Sequence, residues 1–501
     1  MTNYDKKWLV MIYLSGDNDL SEECVWSLTE ILRAGKSDDV AVVVQFDPRV
    51  GNIRRFDVNR LLKDTPAQKS VDLRTRELVT RGFDLENDDM ANVATLKNFI
   101  VDSKASNNAR HNMLILSGHS GGPTGTGFLI DFFPQHGLSL DEVREAIEGA
   151  GGVDILGIDS CGMAMAEVGV QFSDCADFLV ASEGFELNTG WPYFSILSAL
   201  RNGTEVDPRT LASRIVEIHT DYYGSYEIAG VSTDMSACDL KKAPALVEKV
   251  KRLAFELTRS LLLQQHFSHR NDSVRDKRIF VEDLPLESRA VADAIVLAHW
   301  RAQSYRFERH TDLVDFCELL RDGTRDEGVR KACSDVISII NGEKPGDGYV
   351  FKTCHSGGAF QYSNGVAVFF PWAAIDEAYG KLTFPNETGW ELFLRSYLRV
   401  TRRRAREDSR TVELVARPAD EIAIREFPGL GTKDFPEFDE KDFPELGTKD
   451  FPELSTKDFP ELGTKDFPEL GTKDFPELGT KGKLLVPVMK NSPKVFFKDE
   501  C

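Results

Sequence analysis

Two segments of this sequence each end an apolar run at a reactive side chain beside glycine: Leu114-Ile115-Leu116-Ser117-Gly118-His119-Ser120-Gly121-Gly122 and Ile155-Leu156-Gly157-Ile158-Asp159-Ser160-Cys161-Gly162. Short apolar runs bounded by turn residues are typical of strands buried in a parallel sheet. Residues that follow such strands face the crevice in which α/β proteins bind ligands. We therefore expect His119 and Cys161 to lie at the carboxyl edge of one sheet.

The first 240 residues continue this pattern, because apolar runs alternate with segments of helical period. The predicted strands are Trp8–Leu14, Val40–Phe46, Met113–Leu116, Val153–Ile158, Phe178–Ala181 and Ile228–Ala237, and the predicted helices are Leu20–Ala34, Ala91–Ser103, Leu140–Glu148, Met163–Phe172 and Pro208–Tyr222. Ser139 and Glu142 predict a capping box at the third helix. The fold class is therefore α/β, a three-layer sandwich whose mostly parallel central sheet carries helices on both faces.

The sequence predicts one large domain over residues 1–406 and a tail over 407–501. Residues 241–345 are charged and helical in period, and strand-like sequence resumes at Tyr349–Thr353 and Val366–Phe370. We interpret 241–345 as a helical insertion in the domain. The basic run Arg402–Arg406 is predicted to end the globular part.

The tail contains an octapeptide repeat, Phe-Pro-Glu-Leu-Gly-Thr-Lys-Asp, over residues 427–481. One proline and usually one glycine per unit are incompatible with a helix or a strand ladder, so the tail is expected to be mostly disordered. The repeats are either a spacer or a multivalent ligand for a recruiting protein. Deletion of 427–481, followed by a measurement of partner recruitment, decides between the two.

The formal net charge is 61 − 81 = −20. Nucleic acids and lipid surfaces are polyanions, so neither is an expected partner, and no apolar run approaches the ~20 residues that a membrane helix needs. The eight cysteines are widely spaced without a CxxC pair. This usage is typical of a reducing compartment and predicts a cytoplasmic location.

Ser120 is one candidate nucleophile, because Gly118-His119-Ser120-Gly121-Gly122 matches the G-x-S-x-G motif of serine hydrolases. That motif requires a helix directly after the serine. The sequence instead continues Pro123-Thr124-Gly125-Thr126-Gly127, which disfavours a helix. A serine hydrolase is therefore retained as an alternative only.

Cys161 is the other candidate. A catalytic thiol needs a nearby imidazole or helix N-terminus to assist its deprotonation. His119 on the neighbouring strand end and a helix predicted from Met163 supply both. The histidine precedes the cysteine by 161 − 119 = 42 positions, near the roughly 50 of the caspase arrangement.

These motifs resemble the clostripain-like family of bacterial cysteine peptidases, relatives of the caspases. His119 matches the catalytic histidine of that family, and Asp159-Ser160-Cys161 matches its Asp-x-Cys motif. The match covers about residues 5–400. Further similar segments are Trp8–Leu14 with Asp17-Asn18-Asp19-Leu20, Ala181-Ser182-Glu183, Gly190-Trp191-Pro192-Tyr193, Ser236–Leu240 and Asn364–Pro371.

The resemblance implies a caspase-like fold and a cysteine endopeptidase in which Cys161 attacks the peptide carbonyl and His119 acts as acid and base. The backbone N–H groups of Ser120 and Cys161 would bind the oxyanion. The family usually has glycine where this chain has Ser120. A serine would be strained there if the loop required a positive φ.

The resemblance also implies cleavage after Arg or Lys, with Asp159 and either Glu183 or Glu186 as acids of the primary pocket. Relatives are often zymogens that are cut at a basic residue. Between 120 and 160 the only such residue is Arg144, inside a predicted helix. The segment His269–Arg278 and the run Arg402–Arg406 are better candidates for the cut.

No cofactor and no metal site is expected, because no His, Cys or Asp cluster has zinc spacing. A calcium requirement stays open, since some relatives use calcium. The expected partners are a protein or peptide substrate with a basic residue before the cut, an activating protease, and a recruiter of the tail. A caspase-like interaction scaffold without turnover is the remaining alternative function.

Overall fold

The structure is a computed structural model that describes residues 4–63, 83–85, 89–123, 127–132, 135–202, 206–272, 286–305 and 309–408. The repeats at 427–481, and with them the predicted disorder of the tail, lie outside the described residues. No helix within these ranges has the length and apolar character needed to cross a membrane.

Nine of the described strands form one central sheet in the order β13-β10-β9-β8-β5-β1-β2-β3-β4. The five central strands are parallel, and the two at each side are antiparallel, so the sheet is mixed. The described strands are β1 Lys6–Gly16, β2 Val40–Pro48, β3 Ile53–Asp57, β4 Phe83–Leu85, β5 Ala109–Ser117, β6 Phe128–Phe132, β7 Gln135–Leu138, β8 Val153–Asp159, β9 Ala176–Ala181, β10 Thr233–Asp239, β11 Ser304–Tyr305, β12 His310–Asp312, β13 Val350–Ser356 and β14 Ala367–Phe369.

Helices cover both faces of the sheet, which confirms the predicted three-layer architecture. On one face, alternate residues of β1 such as Ile12 join a core with Ile31 and Leu197. On the other face, the Tyr13 ring lies 5.4 Å from that of Phe99. The described helices are α1 Ser21–Arg33, α2 Val58–Lys63, α3 Val93–Ser106, α4 Leu140–Gly149, α5 Ala166–Gln171, α6 Tyr193–Asn202, α7 Pro208–Gly224, α8 Ala243–Asp272, α9 Leu286–Arg301, α10 Leu313–Gly323, α11 Glu327–Asn341, α12 Thr383–Thr388 and α13 Trp390–Asp408.

Local sequence signals locate several boundaries correctly. The capping box is present, since the Ser139 hydroxyl accepts from the Glu142 N–H and the Glu142 carboxylate accepts from the Ser139 N–H. The strand predicted at Val366–Phe370 forms, but it pairs with β12 in a separate small sheet. An apolar run predicts a strand, whereas the sheet that the strand joins depends on segments distant in the sequence.

The described residues of the stretch 241–345 form four helices, α8 to α11, and also two short strands, β11 and β12. These strands were not predicted, because they are only two and three residues long. Strand β12 is buried throughout and pairs with β14. The basic run Arg402–Arg406 does not interrupt helix α13, which continues to Asp408.

Glu167 of α5 is a buried carboxyl whose ionisation opposes folding. Its Oε1 accepts from the Phe369 N–H at 2.9 Å and from the Tyr379 hydroxyl at 2.8 Å. Burial raises the pKa of Glu167 from 4.5 to about 7. The stabilising contribution of the neutral acid is therefore complete below pH 4.5 and is lost as pH rises through 7.

We expect Glu167→Gln to stabilise the fold by about 3 kcal/mol at pH 8 and to change little at pH 4.5, because the amide keeps both accepted hydrogen bonds without a charge. Urea unfolding at the two pH values, in a Cys161→Ala background, measures this. Glu145→Gln on the exposed face of α4 is the control. Equal effects of the two substitutions at pH 8 would contradict the assignment.

Candidate active site

The ends of β5 and β8 lie side by side at the carboxyl edge of the sheet. Ser117 is in register with Asp159, and hydrogen bonding continues beyond the strands. The Gly118 N–H donates to the Asp159 carbonyl at 3.3 Å, and the Ser160 hydroxyl donates to the Gly118 carbonyl. His119 and Cys161 thus follow two strand ends that are bonded to each other.

His119 is held by a residue from a third strand end. Its Nε2 lies 2.5 Å from Oδ1 of Asp19, which follows β1, and its ring is stacked on Phe132 with centroids 5.8 Å apart. The hydrogen bond to His119 lowers the pKa of Asp19. Sequence reasoning assigned Asp19 no role. Its place directly after β1, the parallel neighbour of β5, was the available signal.

Ser120 has an ordinary extended backbone and pairs with a neighbouring segment, so it does not lie in a strained turn. It forms an isolated bridge with Phe128, and its φ is not positive, since Leu129 is the one non-glycine residue of the described chain with a positive φ. The buried hydroxyl accepts from the Gly122 N–H at 2.9 Å and lies 2.8 Å from the Met163 sulfur. Strand β6, not a helix, follows this loop. Ser120 therefore lacks the environment of a serine nucleophile.

Cys161 begins a loop that backbone hydrogen bonds hold against residues 182–184. Its side chain is 1% exposed, and its sulfur lies 3.4 Å from the Glu186 nitrogen. The Gly162 N–H donates to the Gly184 carbonyl at 2.8 Å, and the Met163 N–H donates to the Ser182 carbonyl at 2.9 Å.

The prediction that a helix begins at Met163 was wrong. Helix α5 begins at Ala166, is six residues long, and leaves Cys161–Met165 irregular. The backbone N–H groups of Met163 and Ala164 donate to the Ser182 carbonyl rather than opening a helix. A helix N-terminus therefore does not adjoin the thiol. Backbone hydrogen bonds to Ser182 and Gly184, in the loop after β9, hold the Cys161 loop in place instead.

Asp159 is fully buried at the end of β8. Its Oδ2 accepts from the Ser117 hydroxyl and from the Tyr193 hydroxyl, each at 2.8 Å. Gly190 lies directly over this carboxylate, since a Cβ at Gly190 would be 2.7 Å from Oδ2. The Gly190 backbone, with φ +67°, needs glycine for both reasons.

Glu186 lies beside the same loop. Its Oε1 accepts from the Trp191 indole N–H at 3.4 Å. Both Glu186 and Asp159 are near enough to Tyr223 to add to the effect of burial, which raises the pKa of that phenol. The Tyr223 hydroxyl in turn donates to the Gly190 carbonyl. Asp159 and Glu186 are thus two buried acids around one loop beside Cys161.

Glu183 belongs to a different group of carboxyls. Its Oε2 accepts from the Gly365 N–H at 2.7 Å, and burial, then Asp312 and Asp234, raise its pKa. Asp234 accepts from the backbone N–H groups of Glu183 and Gly184. Asp234 therefore fixes the 183–184 backbone, and no described contact joins the Glu183 carboxyl to Asp159 or Glu186.

No group of three or more His, Cys, Asp or Glu side chains in the described ranges has an arrangement that could hold a metal ion. The Glu183, Asp234 and Asp312 carboxyls form hydrogen bonds with backbone N–H groups. They therefore do not fit a calcium site, and a calcium requirement stays open.

The central strands of the sheet are parallel, helices cover both faces, and a histidine and a cysteine follow neighbouring strands. These features place this chain among the caspase-like cysteine endopeptidases. The clostripain family model matches residues 12–365, and the chain belongs to that family. No curated protein sequence matches it.

Two solved structures show the same fold. One is an inactive zymogen C11 protease from Parabacteroides distasonis, with 15% identity, a TM-score of 0.51, and coverage of 77% of this chain and 99% of that one. The other is a secreted C11 cysteine protease from Bacteroides thetaiotaomicron in complex with an irreversible peptide inhibitor. It has 14% identity, a TM-score of 0.52, and coverage of 78% and 99%.

Proposed function

We propose that this endopeptidase acts through a dyad of Cys161 and His119. The observation that carries the proposal is the pairing of their two strand ends, in which the Ser160 hydroxyl is bonded to the Gly118 carbonyl. Cys161 directly follows Ser160, and His119 directly follows Gly118. The pairing brings a thiol and an imidazole to one edge of the sheet, as nucleophilic catalysis requires.

In the proposed reaction the Cys161 thiolate attacks the scissile carbonyl, and the N–H groups of Ser120 and Cys161 bind the oxyanion. His119 protonates the departing amine and then deprotonates the water that hydrolyses the thioester. Because Nε2 contacts Asp19, Nδ1 is the nitrogen that exchanges these protons. Asp19 is a positioning residue that fixes the ring and stabilises its cationic form.

The proposed substrate is a protein or peptide with Arg or Lys before the cleaved bond. Asp159 and Glu186 support this preference, since both are buried beside the Cys161 loop and a guanidinium or ammonium would neutralise them. A buried carboxylate favours a cation strongly because the dielectric around it is low. Glu183, which hydrogen-bonds Gly365, is left out of the proposed pocket.

A proenzyme form is also proposed. Cys161 is 1% and His119 2% exposed, so a substrate can reach them only after covering residues move. The similarity to a structure described as an inactive zymogen agrees with this. Arg144 lies in α4 and Arg402–Arg406 in α13, and helical backbone is a poor protease substrate. Residues 269–272 end helix α8 as well, so residues 273–278 of the segment His269–Arg278, which lie outside the described part, are the proposed site of cleavage.

N-terminal sequencing of fragments from the active enzyme and from Cys161→Ala tests this form. A fragment that starts within 274–279 in both proteins indicates an external protease. One that is absent from Cys161→Ala indicates self-cleavage. An intact, fully active chain would exclude activation by proteolysis. Recruitment through the repeats and a cytoplasmic location stay predictions.

We expect an electrophilic peptide probe with a terminal Arg to label Cys161, because among the described thiols it alone combines the proposed imidazole partner with the proposed cation pocket. Peptide mapping by mass spectrometry locates the adduct. The matched probe with a terminal Asp should label at least ~10-fold more slowly, given a cost above 1.4 kcal/mol for an anion in this pocket. Labelling of Ser120, or equal labelling of Cys161→Ala, would contradict the dyad.

A further inference from the structure

His310 of β12 lies between the two loops that carry the proposed dyad. A Cβ at Gly122, two residues after Ser120, would be 2.5 Å from His310 Cε1 and 2.9 Å from Nε2. A Cβ at Gly162, next to Cys161, would be 3.3 Å from His310 Nδ1. The imidazole therefore contacts both glycines across the space that their missing side chains leave.

Backbone conformation favours glycine at both positions, and space excludes a Cβ at Gly122. Their φ angles are +73° at Gly122 and +63° at Gly162, a region that other residues rarely occupy. Each loop thus turns at the point where it touches the ring. A ring wedged between two turns fixes their separation, because protein interiors are close-packed and deform little.

The backbone that carries the ring is buried and paired. His310 is 1% exposed and pairs with Phe369 of β14. The Phe370 N–H donates to the Arg309 carbonyl at 2.8 Å, and the Ala367 N–H donates to the Ala164 carbonyl at 2.9 Å. Strand β14 therefore attaches β12 directly to the loop that follows Cys161.

We propose that His310 is a positioning residue of the peptidase, whose imidazole sets the distance between the His119–Ser120 loop and the Cys161–Gly162 loop. The two N–H groups proposed for the oxyanion belong to these loops, one on each. A displacement of about 1 Å in a catalytic arrangement can cost ~100-fold in rate. This inference rests on the proposed function, and it gives the inserted segment 241–345 a part in catalysis.

We expect His310→Ala to lower kcat by roughly 10 to 100-fold with KM changed less than about 2-fold, because the loops shift while the pocket around Asp159 and Glu186 keeps its contacts. Steady-state hydrolysis of an Arg peptide by the activated full-length enzyme measures both constants. Val368→Ala is the matched control, since it removes buried volume from the opposite face of the same small sheet.

Thermal melting shows whether each variant folds. If His310→Ala does not, His310→Asn, which lacks the Cε1 and Nε2 atoms that contact Gly122, is measured by the same criteria. A kcat within about 3-fold of the parent, or an equal fall in Val368→Ala, overturns the inference. Full activity of Cys161→Ala would instead refute the dyad, so the two failures are distinguishable.

Discussion

Cys161→Ala is expected to lower kcat for an Arg peptide by about 10⁵ to 10⁶-fold, since no covalent intermediate can form and only binding and oxyanion stabilisation remain. His119→Ala should lose about as much, and the double variant little more, because the two groups act as a unit. Stopped assays on freshly activated protein measure the residual rates. The melting temperatures should stay near that of the parent.

Cys175→Ala is the matched control for the nucleophile. Cys175 is also buried, but burial raises its pKa to about 12, so it is a neutral thiol at pH 7. This variant should keep kcat within a few-fold. The kcat of Asp19→Asn should lie between those of Cys175→Ala and His119→Ala, because the His119 ring loses its anionic partner but keeps its stacking on Phe132. A fully active Cys161→Ala, or an inactive Ser120→Ala with active Cys161→Ala, would refute the assignment.

The second large effect is expected at the two acids proposed for the pocket, Asp159 and Glu186. Asp159→Asn and Glu186→Gln should each lower kcat/KM for an Arg peptide by about 10² to 10³-fold, because the bound cation then lacks one buried partner at a cost of roughly 3 to 4 kcal/mol. For an otherwise identical peptide with an uncharged residue in place of the Arg, the same substitutions should lower kcat/KM far less. The ratio of the two kcat/KM values is the quantity to compare.

Glu183→Gln is the matched control for specificity. Glu183 is three residues from Glu186 and equally buried, but its carboxyl accepts from Gly365. Its substitution should leave the preference for Arg unchanged, whatever it does to stability. If Glu183→Gln abolishes the Arg preference and Glu186→Gln does not, the pocket is assigned to the wrong acid.

The sequence by itself determined the layers and the edge of the sheet at which the chemistry is proposed. Apolar runs such as Val40–Phe46 and Val153–Ile158 correspond to β2 and β8, because a strand buried on both faces needs consecutive apolar residues. Their abrupt ends placed His119 and Cys161 after adjacent strands. These are local properties of the chain, so local patterns report them.

Only the tertiary structure decided which side chains accompany that pair. Asp19 reaches His119 across 100 positions, and His310 fills the gap between Gly122 and Gly162 from a segment whose sequence indicated only helices. Glu183 and Glu186, which the sequence did not distinguish, contact different neighbours. The physical reason is that periodicity encodes which face is buried, whereas the partner of a buried polar group depends on how distant segments pack against it.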